Sequence, residues 1–252
     1  MKTMAWIARD NQRVNVGSGF AQYPSAGALP ESAAARFMTH VYQLMAFGLG
    51  VTGIVALIIS SSQALMHAIL GNPLVIILVV VAQFGTVIAF QGLARRVSEG
   101  ALAAMFFIYA ALTGVTFAMV FLVYTASSIA GTFFVTAGAF AGLAAYGMIT
   151  KRDLGPWRSF LFMGLIGVIL ASIVSFFWAS SALNAFITFA GVIVFAGLTA
   201  YDTNRLKQIA AMSDLRDERS RKLALQGALT LYLDFINLFL LLLRFLGNRR
   251  ND

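Results

Sequence analysis

The chain has no cysteine, so it can form neither a disulfide framework nor a thiolate metal site, and its compartment is left open. It has only two histidines, His40 and His67. They stand too far apart in sequence to make a metal-binding spacing, and each reads as a satisfied helix or loop residue. Charge is scarce as well: 11% of the 252 residues are charged, against about 25% in a soluble domain. No nucleophile–base pair, phosphate-binding glycine loop or dinucleotide fingerprint is present, and an enzyme needs several convergent polar groups. No enzymatic activity is therefore expected. Tyr201-Asp202 supplies one half of an intramembrane aspartyl protease signature, but the LYLD around Asp234 lacks the GxGD of the other half. No apolar stretch follows the first basic residues, so no signal peptide is expected.

What the chain does have is apolar length. Hydrophobic residues make up 60% of it, and the mean hydropathy is +0.82. After a polar tail over 1–36, expected to turn helical near Glu31–Arg36 with Ser32 as its cap, apolar runs of spanning length fall at roughly 37–60, 74–93, 101–124, 128–149, 158–179, 182–203 and 223–246. They show no alternation of period two. Backbone crossing lipid must satisfy its own hydrogen bonds, so helices are expected rather than a barrel. The fold class is thus an all-α integral membrane protein with seven transmembrane helices over 37–248.

Charge placement orients it. The formal net charge is +8. Basic residues fill the tail (Lys2, Arg9, Arg13, Arg36) and the loops after the second, fourth and sixth segments, including Arg95, Arg96, Lys151, Arg152, Arg158 and the run 204–222, while the alternate loops have none. The excess is a topology signal rather than a nucleic-acid footprint, and it places the N-terminus and those loops in the cytoplasm. Arg244, Arg249 and Arg250 break the pattern. They lie outside if the seventh segment spans and inside if it dips and returns; spanning is favoured.

The costliest residues are two aspartates. Asp234 interrupts LTLYLDFINLFLLLLRFL, and Asp202 ends GLTAYD; the other eight acidic residues lie in tails, loops or segment ends. A bare charge at a membrane-helix centre costs about 2.5–3.5 kcal/mol on insertion scales, so such a residue is a functional candidate. Gln226, Thr230, Asp234 and Asn237 are spaced 4, 4 and 3 and share one helical face. That polar stripe should turn away from lipid, which places the last helix centrally. Segments six and seven are consecutive and can meet. Two carboxyls in a low-dielectric interior would share one proton and titrate as a unit. Ionised, they repel or together ligate a hard cation such as Ca²⁺. Two other readings stay open at this level: Asp202 as a helix-boundary group beside Arg205 and Lys207, and Asp234 paired with Arg244 or an asparagine of another helix. Weaker features are the GxxxG of Gly138 and Gly142, expected to pack helices, Trp157 and Trp178 as interfacial anchors, and Gln83 and Gln91, which either hydrate a path or pair with neighbours.

The strings GLTAYDTNRLKQI, GALTLYLDFINLFLLLLRFLGNRR, FFIYAALTGVTFA, VYTASSIAGTFFVTAGAFAGLAAYG and TKRDLGPW together resemble the bacterial branch of the Bax inhibitor-1 family, across about 33–250. The resemblance implies a seven-helix bundle around its last helix, in the bacterial inner (plasma) membrane, acting as a pH-sensitive Ca²⁺ leak channel. The family's YD motif matches Tyr201-Asp202 and its LYLDFIN motif matches Leu231–Asn237, so the resemblance carries the pH sensor and calcium gate to Asp202 and Asp234. A latch arginine at the end of the second helix corresponds to Arg95 or Arg96. An acidic residue on that helix in some relatives has no clear counterpart here; Gln83 lies nearby. No cofactor is expected to be permanently bound, with Ca²⁺ as permeant ion. The expected partners are the lipid bilayer, Ca²⁺ and protons. As the alternative, some bacterial relatives resemble non-transporting regulators of a membrane-bound AAA protease, a partner the polar tail would suit.

Overall fold

The protein is described here by a computed structural model over residues 31–178 and 180–250. Of the expected tail over 1–36, residues 1–30, and with them the absence of a signal peptide, lie outside the described residues, and 31–36 belong to the first helix. Long helices are punctuated by side-chain caps where the hydrophobic runs break. Helix α1 (Glu31–Ser60) leads through a short α2 (Gln63–Leu70) to α3 (Pro73–Leu93). Ser62 caps α2, and Asn72 caps α3 with Pro73 at its first position, where a missing N–H costs nothing. Ser98 caps α4 (Glu99–Phe117), which turns into the single-turn α5 (Val120–Val123). Thr125 caps α6 (Ala126–Ile149), and Ser180 caps α8 (Ser181–Ala210). Between those two lies α7 (Trp157–Phe177), and α9 (Glu218–Leu246) closes the chain.

Seven of these helices are long and apolar enough to cross a membrane, and the described residues form no strand beyond one isolated bridge. The all-α membrane fold expected from the sequence is what the chain adopts. Helix α9 packs against α1, α4, α6 and α8. Half of its most apolar window is buried, against 6% for α3 and α7. The last helix is therefore the axis, four helices surround it, and α3 and α7 lie on the outside, against α4 and α8 respectively. Phe106, Phe140, Tyr232, Phe235 and Phe239 fill the core around the axis. Between membrane helices such packing replaces the hydrophobic drive that lipid abolishes.

Several boundaries differ from expectation. Helix α1 already includes Glu31, so Ser32 sits within its first turn rather than before it. The run 204–222 is mostly helical: α8 continues to Ala210, α9 begins at Glu218, and only 211–217 connects them. Hydropathy ends where lipid ends, whereas helical hydrogen bonding continues into water. Helix α2 was not expected at all, and the third segment breaks near Ala118. Gly138 and Gly142 are exposed, with no atom within 4 Å of where a Cβ would stand, so the GxxxG packs no helix among the described residues. The close approach on α6 is made by Gly147, where a Cβ would lie 2.5 Å from the Ala200 carbonyl oxygen.

The bundle has two unlike ends. One, the basic end, carries the connections 94–98, 150–156 and 211–217. There the Arg221 guanidinium pairs with Glu99 and also donates to the Leu215 and Arg216 carbonyls, pinning α9 to α4 and to the α8–α9 connection. The other end carries 60–72, 118–125, Trp178 and Ser180. The chain's last described residues join that second end: Tyr124 bridges Arg249, Asn248 accepts from the Thr125 N–H, and the Arg250 N–H donates to Val123. Unbroken helix and terminal pairing together show that α9 runs from one end of the bundle to the other and does not turn back.

Candidate functional site: an aspartate pair between two crevices

Asp234 lies near the middle of α9 and is 4% exposed. Its Oδ2 is buried and receives no hydrogen bond from a donor group among the described residues. The group within hydrogen-bonding reach is the Asp202 carboxyl on α8. Two carboxylates cannot donate to one another. The contact becomes a hydrogen bond only when one member carries a proton, and without it a buried acceptor faces a like charge.

Asp202 is only half-buried. It lies about two turns inside α8, since the helix runs on to Ala210, so it is not a helix-boundary group. It lines a crevice of about 240 Å³ with Gln91, Arg205, Gln226 and Thr230, at the basic-end side of the pair. The cations acting on it are Arg205 first and Arg158 second. Arg95 and Arg96 are exposed and, among the described residues, make no side-chain hydrogen bond or salt bridge. Sequence reasoning did not single out Arg158 for this role; the α7–α8 packing that brings it near has no periodic signature.

The polar stripe thus divides. Gln226 and Thr230 open onto the basic-end crevice, Asp234 is closed off, and Asn237 lines a second, larger crevice of about 680 Å³ on the other side. Arg244 stands in that second crevice and donates to Asn184 Oδ1, not to Asp234. Asn237 Nδ2 donates to the Leu233 carbonyl of its own helix. Among the described residues neither Arg244 nor an asparagine of another helix donates to Asp234. Gln83 pairs with Thr113 and Thr116, whereas Gln91 faces the crevice, so the two glutamines split between the roles weighed for them. Among the described residues no three His, Cys, Asp or Glu side chains cluster as a metal site would require. A cation meeting the pair would find two carboxylates and the neighbouring hydroxyl and amide oxygens.

A second polar group went unnoticed in the sequence. The Tyr232 hydroxyl and Thr52 Oγ1 are 2.6 Å apart, and Thr52 donates to the Ala110 or Gly48 carbonyl, 2.9 and 3.1 Å away. Its members are scattered over α1, α4 and α9, so spacing along the chain does not reveal it.

Residues 34–251 match the family described as "Inhibitor of apoptosis-promoting Bax1". The chain is 47% identical over 222 residues to "Inner membrane protein YbhL" of Escherichia coli K12, covering 88% of this chain and 95% of that one. It is 43% identical over 217 residues to a protein of Borreliella burgdorferi, covering 86% and 94%, and 40% identical over 225 residues to a protein of Rickettsia prowazekii, covering 86% and 91%. With the seven-helix bundle and its central last helix, these matches make the chain a member of the Bax inhibitor-1 family of membrane proteins.

Proposed function

We propose that this protein is a proton-gated cation leak, with Ca²⁺ as its cargo, in a bacterial inner membrane. The observation that carries the reading is the buried Asp234 carboxyl, with its donor-less Oδ2 and Asp202 as its neighbour, placed between two crevices that approach it from opposite sides. A shared proton supplies the missing hydrogen bond, holds α8 against α9 and closes the passage between the crevices. Loss of that proton leaves two like charges in a low-dielectric contact. Their repulsion loosens the α8–α9 seam, and their oxygens then offer a hard cation a transient seat. With two carboxylates rather than three or more acidic or imidazole ligands, that seat suits passage better than retention.

Arg205, beside Asp202 in the crevice, competes for its ionised form and is the nearest cation able to rearrange when the pair opens. Arg95 and Arg96, just past the end of α3, remain the latch that the family resemblance implies, and Gln91, about one turn before them, lines the crevice with Asp202. The basic end faces the cytoplasm on this reading, by the bias of Lys and Arg. The inner-membrane location follows that of the Escherichia coli relative.

The test is Ca²⁺ flux into liposomes holding the purified protein, measured across pH. Flux should rise from acid to alkaline medium in the wild type. Asp234→Asn and Asp202→Asn should each flatten that response. A wild-type pH response in both variants sinks the proposal.

A further inference from the structure

The larger crevice is a groove on the membrane flank, walled by α7, α8 and α9. Along α7 it runs from Leu165 to Phe177, about 18 Å at 1.5 Å per residue. That is close to one leaflet of a hydrocarbon core about 30 Å thick. Its volume of about 680 Å³ is within the roughly 300–1,000 Å³ of sites that enclose small organic ligands. The walls are apolar except near Asn237, Ser172 and Arg244. Ile173 and Phe176 remain 53% and 86% exposed, so the groove is open to lipid.

Its mouth is polar and held in place. Asn184 Oδ1 accepts from both Ser175 Oγ and the Arg244 guanidinium. Arg244 is exposed and, among the described residues, makes no other side-chain hydrogen bond and no salt bridge. The same end of the bundle carries Arg249 and Arg250. None of the described residues in 60–72, 118–128, 177–184 or 244–250 is Asp or Glu. Among the described residues that end is therefore cationic and carries no carboxylate.

We infer that the α7–α8–α9 groove seats one acyl chain of an anionic phospholipid from the adjoining leaflet, with the lipid phosphate on Arg244. The fit joins three independent features: leaflet-deep length, apolar walls and an arginine at headgroup level. Lipid retention is read in detergent, apart from ion passage through the aspartate pair.

The experiment is native mass spectrometry of the full-length protein, released from detergent with palmitoyl-oleoyl-phosphatidylglycerol or the matching phosphatidylcholine. The wild type should keep one phosphatidylglycerol about tenfold better than phosphatidylcholine, the ratio expected for a charge-assisted contact. Arg244→Gln should lower phosphatidylglycerol retention about tenfold, and Arg244→Lys should recover part of it. Ser172→Phe, which fills the groove from an exposed position and leaves Arg244 in place, should abolish retention without lowering the melting temperature. Equal retention of the two lipids, undiminished retention by Arg244→Gln or Ser172→Phe, or full displacement by inorganic phosphate would each overturn the assignment.

Discussion

The hydroxyls of Tyr232 and Thr52 lie 2.6 Å apart, which ties α9 to α1 on the side of α9 turned away from Asp234. Two residues along a helix are roughly 200° around it, so the axis helix is held by one polar contact while presenting another to α8. The first contact is a fixed anchor of neutral groups; the second depends on a proton. Tyr232→Phe and Thr52→Val should each cost about 0.5–1.5 kcal/mol. The double variant should cost less than their sum, because both changes remove one interaction. Thermal unfolding in detergent measures the cycle, and the pH response of flux should survive in all three variants.

Gly147 and Gly138 offer a paired test of where helices touch. A Cβ on Gly147 would enter the Ala200 carbonyl, whereas one on Gly138 meets nothing within 4 Å. Gly147→Ala should destabilise by about 1–3 kcal/mol, the usual penalty for overpacking. Gly138→Ala should leave the melting temperature unchanged or slightly raised, since alanine is the better helix former. Equal losses in both would mean that α6 meets another surface through Gly138.

The lack of native cysteine makes single-cysteine labelling clean. Met212→Cys and Asn248→Cys, at the basic and opposite ends, should react with a membrane-impermeant thiol reagent from opposite sides of a sealed vesicle. Gln226→Cys and Thr230→Cys should react from the same side as Met212→Cys, through the crevice shared with Asp202. Leu238→Cys, at 1% exposure, should not react from either side. Labelling of Met212→Cys and Asn248→Cys from one side would overturn the spanning α9.

A chain lacking residues 1–30 separates a leak from a tail-dependent regulator of a membrane protease. Flux and its pH response should persist in liposomes holding the shortened chain. Flux that vanishes while the shortened chain still melts as the full-length protein does would favour the regulator.

The spans and the central position of α9 were legible because both follow from where polar groups can sit in lipid. The spacing of Gln226, Thr230, Asp234 and Asn237 needed no partner to be read. Helix ends were less legible. Arg205, Lys207 and the stretch from Glu218 to Lys222 look like loop by hydropathy, yet they continue helices into water. Contacts that depend on which helices are neighbours were not legible at all. The Thr52–Tyr232 contact, the approach of Arg158 to Asp202 and the groove beside Arg244 join residues far apart in sequence with no shared period. The GxxxG of α6 misled for the same reason: spacing shows that a helix can be approached closely, not that anything in the chain does so.

The strand-like pairing at the chain's end has a mechanical corollary. Asn248 is fastened to Thr125 and Ser128, the first turn of α6, while the far end of α9 is clamped to α4 by Arg221 and Glu99. The central rod is thus moored at both tips and cannot slide lengthwise like a piston. Any motion at its midpoint must be a bow or a twist, and it is at midspan, where a rod fixed at its tips bends most, that Asp234 sits.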